Sequence, residues 1–413
     1  MSETPGLATR RAALALIDAV IRRGETLDQA ATSALRKVPG DADRALARAI
    51  ASEVLRWKQD LDALIDSATR QRLPEDAKPR AVIALMLAQW LRLGTPPHAV
   101  VATGLPLLAG GPRRLAHGVF STLTKRAASL PAAPTLPNVV RARWGERADA
   151  IAQALSEPPP LDLTLKDAEG TRDWAQRLGA VSLAPGHLRL SRGQAVEMLP
   201  GFAEGEWWVQ DLAAGLPARL LGQGSGRRVL DLCAAPGGKT MQLASAGWHV
   251  TALEIDARRL DRLRANLDRT GLAADVVTAD ALTWEPSTPF DAILLDAPCT
   301  ATGTARRHPD VLHRIGGRQI AEMAALQRRM IERAARWLTS GGTLVYAVCS
   351  LEPEEGEAQT ADLPSGLAVY PVRAEELPAD LPPSPQGWLR TDPAMLAERG
   401  GLDGFFIVRL RRD

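Results

Sequence analysis

The run Asp231-Leu-Cys-Ala-Ala-Pro-Gly-Gly-Lys239-Thr240 is the first place in this chain where residue types and spacing suggest chemistry. It follows an apolar run, 228–232, that reads as a buried strand, and it opens 239–246, which reads as a helix. A glycine turn at that junction leaves backbone N–H groups free to face a ligand. Two common ligand types are excluded by spacing. A dinucleotide fingerprint needs G-x-G-x-x-G after the strand, whereas Gly222-x-Gly224-x-Gly226 lies before it. A phosphate loop needs glycine five positions before Gly238, and that position is Cys233, so Gly238-Lys239-Thr240 is a decoy. Glu254 ends the second strand, where an acid can bridge two ribose hydroxyls. Asp280 follows the third, where it can accept a hydrogen bond from an adenine amino group. The turn residues Cys233, Ala234, Ala235, Pro236, Gly237, Gly238 and Lys239, with Glu254 and Asp280, therefore suit S-adenosylmethionine. Either acid alone would be an ordinary strand-end turn residue.

Thiols are the second chemical feature. The three cysteines, Cys233, Cys299 and Cys349, lie 66 and 50 residues apart. That spacing gives neither a disulfide framework nor the C-x-x-C and paired histidines of a structural zinc site, so no metal is expected. Reduced thiols fit a cytoplasmic protein. Cysteines at strand ends are ordinarily small buried hydrophobes. Here two of the three stand at strand ends in polar company, in Asp296-Ala-Pro-Cys299 and Tyr346-Ala-Val-Cys349-Ser350.

Taken together, these motifs closely resemble the RNA cytosine-5 methyltransferases. The segment Leu295-Asp-Ala-Pro-Cys-Thr-Ala-Thr-Gly-Thr-Ala-Arg-Arg-His-Pro-Asp310 is similar to the bacterial 16S ribosomal RNA branch, called RsmB, Fmu or Sun. Pro200-Gly-Phe-x-x-Gly-x-x-x-Val-Gln-Asp211 and Asp403-Gly-Phe-Phe-Ile-Val-Arg409 are similar to further segments, and residues 6–130 resemble a NusB-like RNA-binding domain. The resemblance spans essentially the whole chain. It implies that Cys349 is a nucleophile adding to C6 of the base, which turns C5 into a carbon able to take a methyl group. It implies that Cys299 serves proton removal and enzyme release. Asp296 would hold the N3/N4 edge of the cytosine at the border of the cofactor site, and Lys239 would stand near the flipped base and help lower a thiol pKa. Cys233 is expected to be structural, beside the cofactor. Arg306, Arg307 and His308 are expected at the phosphates flanking the target. Two positions depart from the family pattern: Val348 stands where threonine is frequent, and Glu254 where aspartate is.

The elements that must position these residues are legible as well. At 413 residues, 46% apolar and 24% charged, the chain has an ordinary globular composition with room for two or three domains. Its longest apolar run, Ala81–Ala88, is too short to span a bilayer. The start lacks a secretory pattern, so membrane, secreted and fibrous classes are not expected. Residues 1–150 carry 22 Lys+Arg against 14 Asp+Glu, a net of +8, and the remainder 28 against 34, a net of −6. A basic front on a mildly acidic body suggests a polyanion partner.

Helical spacing predicts helices over 8–23, 41–57, 58–67, 79–93 and 112–127, within an all-α domain of six or seven helices over 1–130. Ser129–Pro137 reads as a proline-stiffened linker that opens a small mixed α/β stretch over 131–222. Over 223–413, strands at 228–232, 249–253, 274–278, 292–295 and 343–348 alternate with helices at 257–270 and 319–338, predicting a Rossmann-like doubly wound sheet. Residues 405–410 should pair antiparallel at its edge. The expected partner is 16S rRNA, free or early in assembly, bound by a monomer. The rivals are the same chemistry on tRNA or 23S rRNA, and a catalytically silent RNA-binding or antitermination factor. Paired thiols with Glu254, Asp280 and Asp296 argue against the silent factor, which has no use for them.

Overall fold

The computed structural model describes residues 5–413. They separate into two compact units, one ending at Glu157 but including Ala305–Ile315, the other formed by Pro158–Thr304 and Gly316–Asp413.

The first unit is helical: α1 (Leu7–Arg23), α2 (Leu27–Ala34), α3 (Asp41–Arg56), α4 (Lys58–Ser67), α5 (Lys78–Leu91), α6 (Pro97–Gly104), α7 (Gly110–Lys125), α8 (Asn138–Trp144) and α9 (Ala148–Ala154). Gly24 ends α1 in the left-handed conformation. Helix α2 opens on a reciprocal capping box between Thr26 and Gln29. The apolar run Ala81–Ala88 is the middle of α5, which is buried around most of its circumference because it is the core helix of the unit.

The expected linker does not separate domains. Thr135 donates through its backbone N and its Oγ1 to Asp60, at 2.9 and 2.6 Å. Beyond it, Val140, Trp144, Ile151 and Leu155 are buried in the same unit, so the division falls after Glu157 rather than near 130. No helix among the described residues is long and apolar enough to cross a membrane.

The second unit begins with β1 (Leu161–Leu165), α10 (Thr171–Leu178), β2 (His187–Leu190) and β3 (Trp207–Val209), whose strands form a small antiparallel sheet ordered β2-β1-β3. Asp162 anchors it, buried and accepting two 2.7 Å bonds from Arg189. Then come α11 (Leu212–Arg219), β4 (Arg228–Leu232), α12 (Gly238–Ser245), β5 (His249–Glu254), α13 (Ala257–Thr270), β6 (Asp275–Thr278) and β7 (Phe290–Asp296). After the excursion carrying α14 (Val311–Arg314) follow α15 (Gly317–Trp337), β8 (Leu338–Val348), β9 (Leu367–Val369), β10 (Leu389–Thr391) and β11 (Phe405–Arg412).

The large sheet runs β10-β11-β8-β7-β4-β5-β6, with β9 on β11. Strands β4 to β8 are parallel and β11 is antiparallel to β8. Alternation along β4 sends Val229 into one apolar cluster and Leu230 and Leu232 into another, where Met330, Ile331 and Ala334 of α15 pack. The chain steps from β4 outward to β6 and then returns to the other side of β4. That reversal opens a crevice at the carboxyl ends of β4 and β7, where such sheets bind ligands.

Candidate active site

Strand β4 delivers Asp231 to the base of the crevice. The residue is fully buried, and its Oδ2 accepts from Thr240 Oγ1 of α12 at 2.6 Å. Its Oδ1 has no hydrogen-bond partner among the described residues. Burial, reinforced by the charges of Asp296 and Glu254, pushes this carboxyl up to about 7.

The chain then turns through Cys233 (φ 62) and a cis Ala235–Pro236 peptide to Gly237 (φ 105). A Cβ at Gly237 would lie 3.1 Å from Leu263 of α13 on a backbone that side chains rarely adopt, so the turn requires glycine there. Arg259 Nη2 donates to the Ala235 carbonyl at 2.6 Å and Asn266 Nδ2 to that of Pro236 at 2.9 Å. The turn is therefore fixed from α13. The Cys233 thiol is pushed well up by burial and then by Glu254, Asp296 and Asp231, which suits packing rather than nucleophilic work.

Glu254 and Asp280 lie side by side at the ends of β5 and β6, joined by a 3.1 Å bond from Ala279 N to the Glu254 carbonyl. Glu254 is 2% exposed. Its Oε1 accepts from the backbone N of Ile255 and Asp256, and its Oε2 is ion-paired to Arg259 at 3.1 Å. Asp280 is half-buried and accepts from Leu282 N at 2.8 Å. This set fits S-adenosylmethionine. The orphaned buried oxygen of Asp231 is an acceptor that an ammonium group would satisfy, and Glu254 with Asp280 offers acids at the ribose and adenine positions.

On the other side of β4, Asp296 ends β7 and Cys349 follows β8. Asp296 pairs in register with Ala347, two residues before Cys349. Lys239 Nζ reaches across from α12 to Asp296 Oδ2 at 2.7 Å and lies 5.6 Å from the Phe405 ring centroid. Burial works against the Lys239 charge, but Asp296, then Cys349 and Asp231, outweigh it and raise its pKa, so the ammonium is retained at neutral pH. Cys299 Sγ and Cys349 Sγ are 3.4 Å apart. The hydrogen bond to Cys349, then burial and the charges of Cys349 and Glu355, raise the Cys299 thiol well above its usual range. Across the sheet the order is thus Asp280, Glu254, the Cys233–Lys239 turn, Asp296 and the thiol pair. The acids Glu254 and Asp280 stand on one flank and the two thiols on the other.

The RNA-contact expectation needs correction. Arg306 is 2% exposed, inside the helical unit, where its carbonyl accepts from Arg56 Nη2 at 2.8 Å. A guanidinium enclosed in this way is not presented to a solvated phosphate. Arg307 is exposed and His308 half-buried. Arg333 of α15 donates to the carbonyls of Ala281 and Trp284 at 2.8 and 2.6 Å.

Sequence reasoning missed Arg259, which fixes both Glu254 and the turn. It also missed Thr300, Gln327, Ser350 and Glu355, which surround the thiols. Glu355 lies six residues after Cys349 in Glu352-Pro-Glu-Glu355, a run that no periodicity or motif spacing singles out.

Comparison with known proteins finds relatives for both parts of the chain. Residues 218–411 match the family model described as 16S rRNA methyltransferase RsmB/F, and residues 7–107 match the NusB family. A ribosomal RNA small subunit methyltransferase B of Xylella fastidiosa is 36% identical over 82% of this chain and 82% of its own. Its counterpart in Xanthomonas campestris is 35% identical over 86% and 87%. Among solved structures, PH0851 superposes with a TM-score of 0.73 over the full length of both chains at 21% identity, which establishes the shared fold.

Proposed function

The chain belongs to the RsmB/F family of 16S rRNA methyltransferases, and from that footing we propose that it methylates C5 of a cytosine in 16S rRNA through a covalent Cys349 adduct. The observation that carries the reading is the pair of thiols 3.4 Å apart beside the Lys239–Asp296 ion pair. Cytosine C5 is too electron-poor to accept a methyl group unaided. Addition of the Cys349 thiolate to C6 makes C5 enamine-like, and one sulfur then has to leave as a proton departs from C5. S-adenosylmethionine, when bound, supplies the electrophilic methyl group.

The remaining work falls to the chain itself. Asp296 holds the amino edge of the base, and the Lys239 ammonium stabilises the negative charge that spreads over the ring after addition. Two thiolates 3.4 Å apart would repel one another, so Cys299 keeps its proton during the attack, and its S–H can point at the attacking sulfur. Once Cys349 is bonded to C6 its charge is gone and the strongest influence raising Cys299 is removed. Cys299 can then release its own proton to water, and the thiolate so formed takes the C5 proton, directly or through water, as Cys349 is expelled as a thiolate.

The cytosine must leave its stack to reach this crevice. The +8 balance of residues 1–150 supplies a sequence-independent attraction to RNA. We assign the reaction to the cytoplasm, on RNA that is free or early in assembly, with the protein acting as a monomer. Bisulfite sequencing of ribosomal and transfer RNA from cells with and without this protein tests the reading. One 16S cytosine should lose protection when the protein is absent. A change confined to tRNA or 23S rRNA would move the substrate, and no change anywhere would contradict the activity.

A further inference from the structure

Both catalytic thiols are followed at once by a hydroxyl residue, Thr300 after Cys299 and Ser350 after Cys349. The two hydroxyls converge on one carboxylate. Glu355 has no exposed surface. Its Oε1 accepts from Ser350 Oγ at 2.9 Å and from Thr300 Oγ1. Its Oε2 accepts from Thr300 N at 2.9 Å and from Gln327 Nε2 of α15, also at 2.9 Å. The same Gln327 nitrogen donates to the Pro298 carbonyl at 2.8 Å, on the other side of Cys299. Tyr346 of β8 closes the ring by donating to the Glu355 carbonyl at 2.6 Å.

We infer that Glu355 is a positioning residue that sets the separation and direction of the two thiols by tying the Cys299 loop, the Cys349 loop and α15 to one buried carboxylate. The inference rests on the covalent reading above, because only a reaction using both sulfurs on one C5–C6 bond needs their spacing fixed. A buried carboxylate is costly unless every oxygen is satisfied, and here each oxygen receives two donors. Hydrophobic packing alone would hold these loops less directionally. Charge-assisted hydrogen bonds impose distance and angle on the residues that bear them, each one bond away along the chain from a reacting cysteine. Positional errors of about an ångström at such groups are expected to cost on the order of a hundredfold in rate.

The test uses the full chain with an RNA carrying fluorine on the target C5, which blocks elimination and holds the Cys349 adduct. Adduct formation is followed in single turnover, alongside S-adenosylmethionine affinity, the KM for RNA and the melting temperature. Glu355→Ala should slow adduct formation by at least about tenfold, the equivalent of losing hydrogen bonds to a charged group. Cofactor affinity and KM should stay within about twofold, which a general loss of structure would not allow. Glu355→Gln should recover to within about threefold of wild type, since its oxygen still accepts from Thr300 N and Gln327 while its amide can donate to the two hydroxyls. Ser350→Ala keeps the carboxylate and cuts its tie to the Cys349 loop. It should slow the adduct by about threefold or more, and it decides the matter if Glu355→Ala does not fold. Wild-type adduct rates in these variants would overturn the positioning role. Absence of an adduct in the wild-type protein would instead overturn the covalent reading on which it stands.

Discussion

Asp231 is fully buried and His313 half-buried, and both titrate far from their usual ranges, in opposite senses. Burial lifts the Asp231 carboxyl to about 7, and burial lowers the His313 imidazole to about 4 where it contacts the Leu55 carbonyl. Between pH ~4 and ~7 the folded chain holds a proton on Asp231 that the unfolded chain has released, so this residue withdraws stability as pH rises. His313 acts the other way, because the unfolded chain binds its proton first as pH falls. Comparing wild type with Asp231→Asn removes the His313 contribution, which is common to both. The cofactor-free variant should gain melting temperature relative to wild type at pH 8 and show little gain at pH 4, with a slope of at most about 1.4 kcal/mol per pH unit between. A difference independent of pH would contradict the buried carboxyl whose Oδ1 has no partner among the described residues. On the cofactor flank, Glu254→Ala and Asp280→Ala should each weaken S-adenosylmethionine binding by on the order of 1–3 kcal/mol in calorimetry. Unchanged affinity in both would remove the assignment of these acids.

The strand ends are held in line by contacts between loops as well as by the sheet. Gly303, four residues after Cys299, donates its N–H to the Cys349 carbonyl at 3.0 Å and accepts from Gly404 N at 2.8 Å. A Cβ on Gly303 would stand 2.0 Å from the Gly404 carbonyl oxygen, a backbone atom that cannot swing aside. Gly303→Ala should therefore destabilise the protein by about 1–3 kcal/mol and lower turnover beyond that loss, because the displaced loop carries Cys299. Equal melting temperature and activity would show that the two backbones are not in close approach.

At this scale the sequence was informative where burial is continuous. The strands 228–232 and 343–348 and the helix 257–270 were legible because parallel strands buried on both faces read as apolar runs and α13 has a clean helical stripe. The cofactor turn was legible from its glycines and proline. The short α2 and α6 were not, since eight residues give too few turns for a periodic signal. Arg306 was misread and Glu355 missed for another reason. Arg306 is enclosed and Glu355 is bonded by groups elsewhere along the chain, and nothing local in a sequence distinguishes a charged side chain that is enclosed from one that faces solvent.

For the whole molecule, the telling feature is that the chain leaves the sheet-bearing unit after Thr304, runs through Ala305–Ile315 within the helical unit, and returns at Gly316. There Arg56 and His313 bond across the unit to the carbonyls of Arg306 and Leu55, and Val311, Leu312 and Ile315 are buried. Deleting the helical residues would strip the cover from that apolar segment, so truncation is expected to give aggregation rather than a free catalytic unit. RNA attraction is better tested by charge. Arg113, Arg114 and Lys125 are exposed on α7, which has no acidic residue. Arg113→Glu with Arg114→Glu should weaken RNA binding across sequences and reduce the salt slope by about one for each phosphate no longer neutralised, leaving cofactor affinity unchanged. An unchanged slope would place the electropositive surface elsewhere.

The central claim is that two neighbouring thiols divide one reaction, Cys349 forming the bond to C6 and Cys299 assisting its cleavage. The most direct measurement incubates Cys349→Ala and Cys299→Ala with natural RNA and methyl-labelled S-adenosylmethionine, and resolves the products by denaturing electrophoresis. Cys349→Ala should give neither methylated RNA nor an adduct. Cys299→Ala should accumulate a protein–RNA adduct carrying the labelled methyl group. An adduct in Cys349→Ala and none in Cys299→Ala would reverse the roles, and methylation retained in both variants without any adduct would contradict covalent catalysis by this pair.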